Sequence, residues 1–168
     1  NVWRWGKKSL EIPVDKIDLP ITVLLPVWNE EKVIQLKLNN LAKQEVKTSL
    51  LLIDSASTDN TINLANKWLK ENPKSFISTE VIILPSRDGK TAAVAKAMDH
   101  LSDFEGLIAM TDADAIFDAN ALLRARKWFA NDTIGAVGAT PSRSGNLSGE
   151  ASHREMYSMI RYGESCYD

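Results

Sequence analysis

Short runs rich in Val, Ile and Leu recur along the chain, at residues 21–27, 50–53, 81–84, 107–110 and 134–137. Nearly every position in these runs is apolar, the pattern of strands covered on both faces. Between them the apolar residues fall three and four apart: Ile34, Leu38 and Leu41, then Ile62, Ala65 and Leu69, then Val94, Met98 and Leu101, then Leu122, Ala125 and Phe129. That is helical spacing. Strands that alternate with helices need crossover connections, and crossovers are right-handed. The sequence therefore predicts an α/β, Rossmann-like fold, a mainly parallel sheet with helices on both faces. Asn29, Asp59 and Asp118 precede the first, second and fourth helical patterns and are expected to cap them.

With 168 residues and 44% hydrophobic content the chain can bury one sizeable core. A formal net charge of −2 supplies no field that would draw a nucleic-acid backbone, so no nucleic-acid partner is expected. Cys166 is the single cysteine and closes no internal disulfide, which fits a reducing, cytoplasmic setting. No apolar run approaches the roughly 20 residues that span a bilayer. The chain runs from Asn1 to Asp168 and is expected to be part of something longer. Residues 142–149 read as a Ser- and Gly-rich loop, and Met156, Met159 and Ile160 place a helix over 150–165.

In an open parallel sheet ligands bind beyond the carboxyl ends of the strands. Those ends carry Pro26-Val27-Trp28-Asn29-Glu30, then Asp54 to Asp59, then Arg87-Asp88-Gly89-Lys90, then Thr111-Asp112-Ala113-Asp114. Two carboxylates at i and i+2 of an extended segment face the same side, so Asp112 and Asp114 can together face a hard divalent cation. The same pair also suits a plain turn after a buried strand. Arg87 and Lys90 flank a helix start, where free backbone N–H groups already favour an anion such as a diphosphate; a solvated basic turn is the alternative. Asp54 ends a buried strand and can accept hydrogen bonds from a base or ribose, or can close an Asx turn. Ser57 and Asp59 read as loop and cap. Glu30 and Glu31 suit the first turn of a helix, and only the strand-end position of Glu30 makes it a nucleotide candidate. His100 and His153 read as structural or solvated, Arg124, Arg126 and Lys127 as a solvated helix face, and Trp68 and Trp128 as packing residues.

Residues 26–31, residues 53–61, Arg87 to Lys90 and Thr111 to Asp114 follow one another in the order seen in family 2 inverting glycosyltransferases, and the chain resembles that family from about residue 21 onward. The resemblance implies a GT-A fold, with residues 1–20 as an N-terminal flank and 21–168 as the nucleotide-sugar-binding part. It implies that Pro26 and Glu30 lie against the nucleotide and that Asp54 recognises the base. Arg87 and Lys90 would line the base and diphosphate region, Asp112 would contact ribose or sugar, and Asp114 would bind Mg²⁺ or Mn²⁺. The second motif usually reads Asp-Asp-Gly-Ser; here Ser55 and Ala56 replace its second acid and its glycine.

The family's catalytic base lies in a further acidic motif well past the D-x-D, and none occurs by Asp168. The chain is therefore expected to hold donor and metal, with no catalytic residue of its own. A UDP-sugar is the favoured donor and a glycan or lipid-linked hydroxyl the acceptor. Residues 150–168, with their Arg161-Tyr162-Gly163 run, resemble the connecting segment of membrane-embedded polysaccharide synthases. Trp3, Arg4, Trp5, Lys7 and Lys8 would suit a membrane-interface flank. Among rivals, a nicotinamide dehydrogenase and a nucleotidyltransferase would each need a Gly-rich turn after the first strand, which Pro26-Val27-Trp28-Asn29 does not offer. A phosphotransferase would use Asp112 as nucleophile, and a non-catalytic module would show no metal-dependent nucleotide binding.

Overall fold

The computed structural model describes residues 17–139. The readings that concern the N-terminal aromatic flank, residues 142–168, His153 and Cys166 lie outside them. Strands β1 (Ile21–Val27), β2 (Ser49–Asp54), β3 (Thr79–Ile83) and β4 (Leu107–Met110) alternate with helices α1 (Ile34–Ala42), α2 (Thr61–Glu71), α3 (Gly89–His100) and α4 (Ala121–Trp128). The four strands form one parallel sheet in the order β3-β2-β1-β4, in agreement with the predicted class.

The sheet is covered on both faces because its two central strands alternate apolar residues of both orientations. Val23, Leu25, Leu50 and Leu52 pack with Ile34, Leu38, Leu41, Ala65 and Trp68 on the side of α1 and α2. Leu24, Leu51 and Ile53 meet Ala93 and Ala97 of α3 on the other. Trp68 packs as expected: its ring stands 6.2 Å from Phe76 and its indole N–H donates to Asn39. The strand order reverses direction at β1, from which the chain builds first toward β3 and then returns to the opposite side with β4. Ligands of open α/β sheets bind at such a switch point, here beyond the carboxyl ends of β1 and β4.

The structure corrects three local expectations. Two-sided burial holds for β1 and β2, apart from the half-buried Pro26 and Ser49; β3 and β4 are the edge strands of the described sheet and are partly open. Residues 134–137 form no strand, and Ala136 and Val137 are exposed. That run is short, is interrupted by Gly135 and is followed by Gly138, so it has few side chains with which to hold a place in a ladder. Finally, Asn29, Asp59 and Asp118 are not the N-cap residues; Val33, Asn60 and Asn120 occupy those positions without side-chain caps. The Asn29 side chain joins the loop after β2 instead, while Asp59 accepts from Glu31 across the loops and also from the Thr61 amide that opens α2. Arg126 also departs from a solvated face: its side chain is 15% exposed and it pairs with Asp18.

Candidate donor site at the carboxyl ends of the strands

Two loops build the floor of the rim by exchanging hydrogen bonds. Asn29 takes a left-handed φ of 54°, which Asn tolerates better than most residues. Its backbone N–H donates to Ser57 Oγ, and its Oδ1 accepts from the Thr58 amide. Glu30 N–H donates to Thr61 Oγ1, Glu31 N–H to Asp59, and Asn60 N–H to Glu31. The loop after β1 is thus satisfied by the loop after β2, and the reverse. Burial alone would push the Asp59 carboxyl up, but the Thr61 hydroxyl and amide and the Glu31 amide hold it below the usual value. Ser57, Asp59 and Thr61 therefore do more than close a local turn.

Asp54 is 1% exposed and both its oxygens accept from Ser57, Oδ2 from the amide at 3.0 Å and Oδ1 from the hydroxyl at 2.5 Å. Ala56 inside this turn has φ 58°, the left-handed conformation for which glycine is suited. Next to Asp54, the Ser55 hydroxyl is buried and has no hydrogen-bond partner among the described residues.

Across the switch point, Thr111 and Ala113 are buried while Asp112 and Asp114 are exposed; the pair does not lie in an extended segment, because β4 ends at Met110 and the Ala115 amide donates back to the Asp112 carbonyl to close a turn. Gly89 opens α3 with φ 85° and brings Lys90 onto the rim, where its ammonium forms an ion pair with Asp112. Both partners are about half exposed, 53% and 54%, so this pair is weak and exchangeable for a phosphate. Arg87 lies with its guanidinium 3.3 Å from the Trp28 ring centroid, a cation–π stack that ties the end of β3 to the end of β1.

Pro26, Glu30, Lys90 and Asp112 line one open cavity of about 160 Å³ together with Val27, Trp28, Ser55, Ala93 and Ala113. Asp114, Arg87 and Asp54 do not line it: Asp114 is exposed one alternation beyond Asp112, Arg87 stacks on the rim, and Asp54 is buried behind Ser55. Burial raises the Glu30 carboxyl above its usual value, and the charges of Asp114, Asp59 and Asp112 raise it further. A cation among these acids would relieve that repulsion. A larger depression of about 340 Å³ runs along β4 and α4, but among the described residues its only charged lining residue is Arg126 and no acid lines it. The acidic and basic side chains gather at the smaller cavity.

The sequence reading missed Lys37. This α1 residue is fully buried; its Nζ donates to Thr111 Oγ1 at 2.7 Å and to the Ala115 carbonyl at 2.5 Å, and stands 4.4 Å from the Phe117 ring centroid. Burial pushes its ammonium down to about 8, against the pull of Asp112 and Asp114. The signal was present: Lys37 interrupts the apolar stripe of Ile34, Leu38 and Leu41 at a core-facing position.

Three comparisons bear on this site. The family model described as glycosyl transferase family 2 matches residues 22–167. The chain is 34% identical over 137 residues to poly-beta-1,6-N-acetyl-D-glucosamine synthase of Staphylococcus aureus, covering 80% of the chain and 31% of that protein. It thus spans under a third of the length of that curated relative. A mannosyltransferase from Pyrobaculum calidifontis, solved with GDP-Man and Mn²⁺, superposes with a TM-score of 0.80 at 30% identity over 98% of this chain and 45% of that one. S. aureus TarS 1–349 with UDP-GlcNAc superposes with a TM-score of 0.50 at 26% identity over 64% of this chain and 30% of that one.

Proposed function

The chain belongs to glycosyl transferase family 2, and from that premise we propose that it forms the donor-binding part of an enzyme that moves a sugar from a nucleoside-diphosphate sugar to an acceptor hydroxyl, with inversion at the anomeric carbon. The observation that carries this reading is the meeting of Glu30, Lys90 and Asp112 around one cavity at the β1/β4 switch point, with Asp114 exposed beside them. The cavity is smaller than the roughly 300 Å³ at which ligand pockets begin, so the donor lies across the open rim, with only part of it inside.

Lys90 exchanges Asp112 for the diphosphate, leaving Asp112 for ribose or sugar. Pro26 and Glu30 lie against the nucleotide, with Arg87 and Trp28 at its base end. Base recognition falls to the end of β2, where a base N–H donates to Asp54, which it shares with Ser57, or a base carbonyl accepts from the Ser55 hydroxyl. Asp114, with Asp112 beside it, holds Mg²⁺ or Mn²⁺. Among the described residues no group of three His, Cys, Asp or Glu side chains gathers to hold a metal alone. Two exposed carboxylates still fit a hard cation that completes its shell with water and diphosphate oxygens. Held there, a cation would supply positive charge to the leaving diphosphate. The support from known proteins is the Mn²⁺ in the mannosyltransferase complex.

The acceptor hydroxyl attacks the anomeric carbon opposite the leaving group; the new C–O bond forms, the bond to the diphosphate breaks, and the hydroxyl proton passes to a base outside the residues assigned here. The favoured donor is a UDP-sugar, supported by the UDP-GlcNAc complex, while the GDP-Man complex keeps a guanine donor in the test. The S. aureus relative, a polysaccharide synthase by name, supports a growing glycan as acceptor and polysaccharide synthesis as the setting; the cytosolic face of a membrane is the location proposed from the sequence. No helix among the described residues is long and apolar enough to cross one.

Calorimetry with UDP, GDP and their sugars, with and without Mn²⁺, tests the reading on this chain and on Asp114→Ala. Binding should strengthen with Mn²⁺ and lose that increment in the variant. Binding that is absent, or indifferent to both metal and Asp114, would overturn it.

A further inference from the structure

A buried ammonium is costly unless it is paired or fully hydrogen-bonded, and an apolar side chain would fill the same place on α1 more cheaply. Lys37 is nevertheless fully buried, and among the described residues no carboxylate lies within 4.0 Å of it. Among the described residues the partners of its ammonium all lie in one short segment. Thr111 precedes the acidic pair, Ala115 follows it, and Phe117 lies two residues further. A lysine ammonium has three donors and no acceptor, so it can hold a hydroxyl on one side of a turn and a carbonyl on the other at once. Neither Met nor Leu could make that bridge.

We propose that Lys37 is a positioning residue of the donor site: it pins both ends of the Thr111–Ala115 turn so that Asp112 and Asp114 face the rim together, and it sets a positive charge beneath them. The inference rests on the assignment of Asp112 and Asp114 to donor and cation. Two carboxylates on one side of a turn repel each other, and the fixed charge of Lys37 offsets that repulsion before a cation arrives. Supporting groups behind metal ligands act in this way: they orient the ligands without touching the ion.

The test compares wild type with Lys37→Met, which keeps the length and apolar stem but removes the charge and both hydrogen bonds, and with Thr111→Val, which removes one bond and keeps the charge. The affinity for UDP and for GDP is measured in each with and without Mn²⁺, alongside the thermal midpoint. Lys37→Met should lose about 10- to 100-fold of Mn²⁺-dependent affinity, the usual effect of removing a support behind a metal ligand. Thr111→Val should lose less, and metal-free nucleotide affinity should change little in either. Folded variants that keep the full Mn²⁺ increment overturn the proposal, as does an equal loss of metal-free and metal-dependent binding, which marks Lys37 as packing only. If Lys37→Met does not fold, Thr111→Val decides alone: a selective loss of the Mn²⁺ increment supports the proposal and an intact increment overturns it. A wild type with no Mn²⁺ increment overturns the assignment of the acidic pair itself, and that result is read before any variant is compared.

Discussion

The Arg87 guanidinium lies face-on to the Trp28 ring, 3.3 Å from its centroid, and so links the ends of β3 and β1, which are not neighbours in the sheet. Trp28 is 37% exposed, so the stack stands at the water boundary, where such contacts contribute about 0.5–1 kcal/mol. A double-mutant cycle of Trp28→Leu and Arg87→Met in urea should return a coupling of about that size. A coupling near zero would show that the stack does not hold the rim together.

Ser55 carries the opposite expectation for stability and binding. Its hydroxyl is buried with no partner among the described residues, so Ser55→Ala removes an uncompensated polar group and should leave the urea midpoint unchanged or raised. If that hydroxyl bonds the donor, nucleotide affinity should fall about tenfold, the equivalent of roughly 1.4 kcal/mol. A variant that binds as tightly as wild type removes Ser55 from the site.

Ala56 holds a left-handed backbone that disfavours a Cβ by about 1–2 kcal/mol, whereas glycine loses only about 0.5–1 kcal/mol through its greater freedom when unfolded. Ala56→Gly should therefore stabilise the chain by about 0.5–1 kcal/mol in chemical denaturation. An unchanged or lowered midpoint would mean that the turn relaxes around alanine.

Two groups give the pH dependence of stability opposite limbs. The Lys37 ammonium lies near 8 in the folded chain, below its usual value of 10.5. Above pH 8 the folded state releases this proton before the unfolded state does, so the contribution of Lys37 to stability rises with pH until the unfolded group also titrates. Lys37→Met should lack that rise between pH 8 and 10. Asp59 is held below its usual 3.8, so its contribution is present above that value and is lost as pH falls through the folded pKa. Asp59→Asn should flatten the acid limb, with urea midpoints from pH 2 to 6 as the measurement.

Much of this was legible in the sequence. The bounds of β1 and β4 are those of their apolar runs, and β2 differs by a residue at each end. The run at 134–137 misled because apolar content says nothing about whether a neighbouring edge accepts a strand, and Gly135 and Gly138 weaken it. Asn29 and Asp59 read in the sequence as local caps; Asp59 does accept from the Thr61 amide at the start of α2, but each side chain also binds a backbone amide of the other loop. Their side chains reach 28 and 29 positions along the chain, and local capping rules see only neighbours.

The sequence by itself determined the alternation of strand and helix, hence a parallel sheet, and hence that the residues after each strand would share one rim. Each of those steps follows from local periodicity and from the handedness of crossovers. Only the tertiary structure decided how that rim is supported. Lys37 meets Thr111 and Ala115 across 74 and 78 positions because α1 packs beneath the loop after β4, and no local pattern encodes which distant backbone a buried ammonium will find.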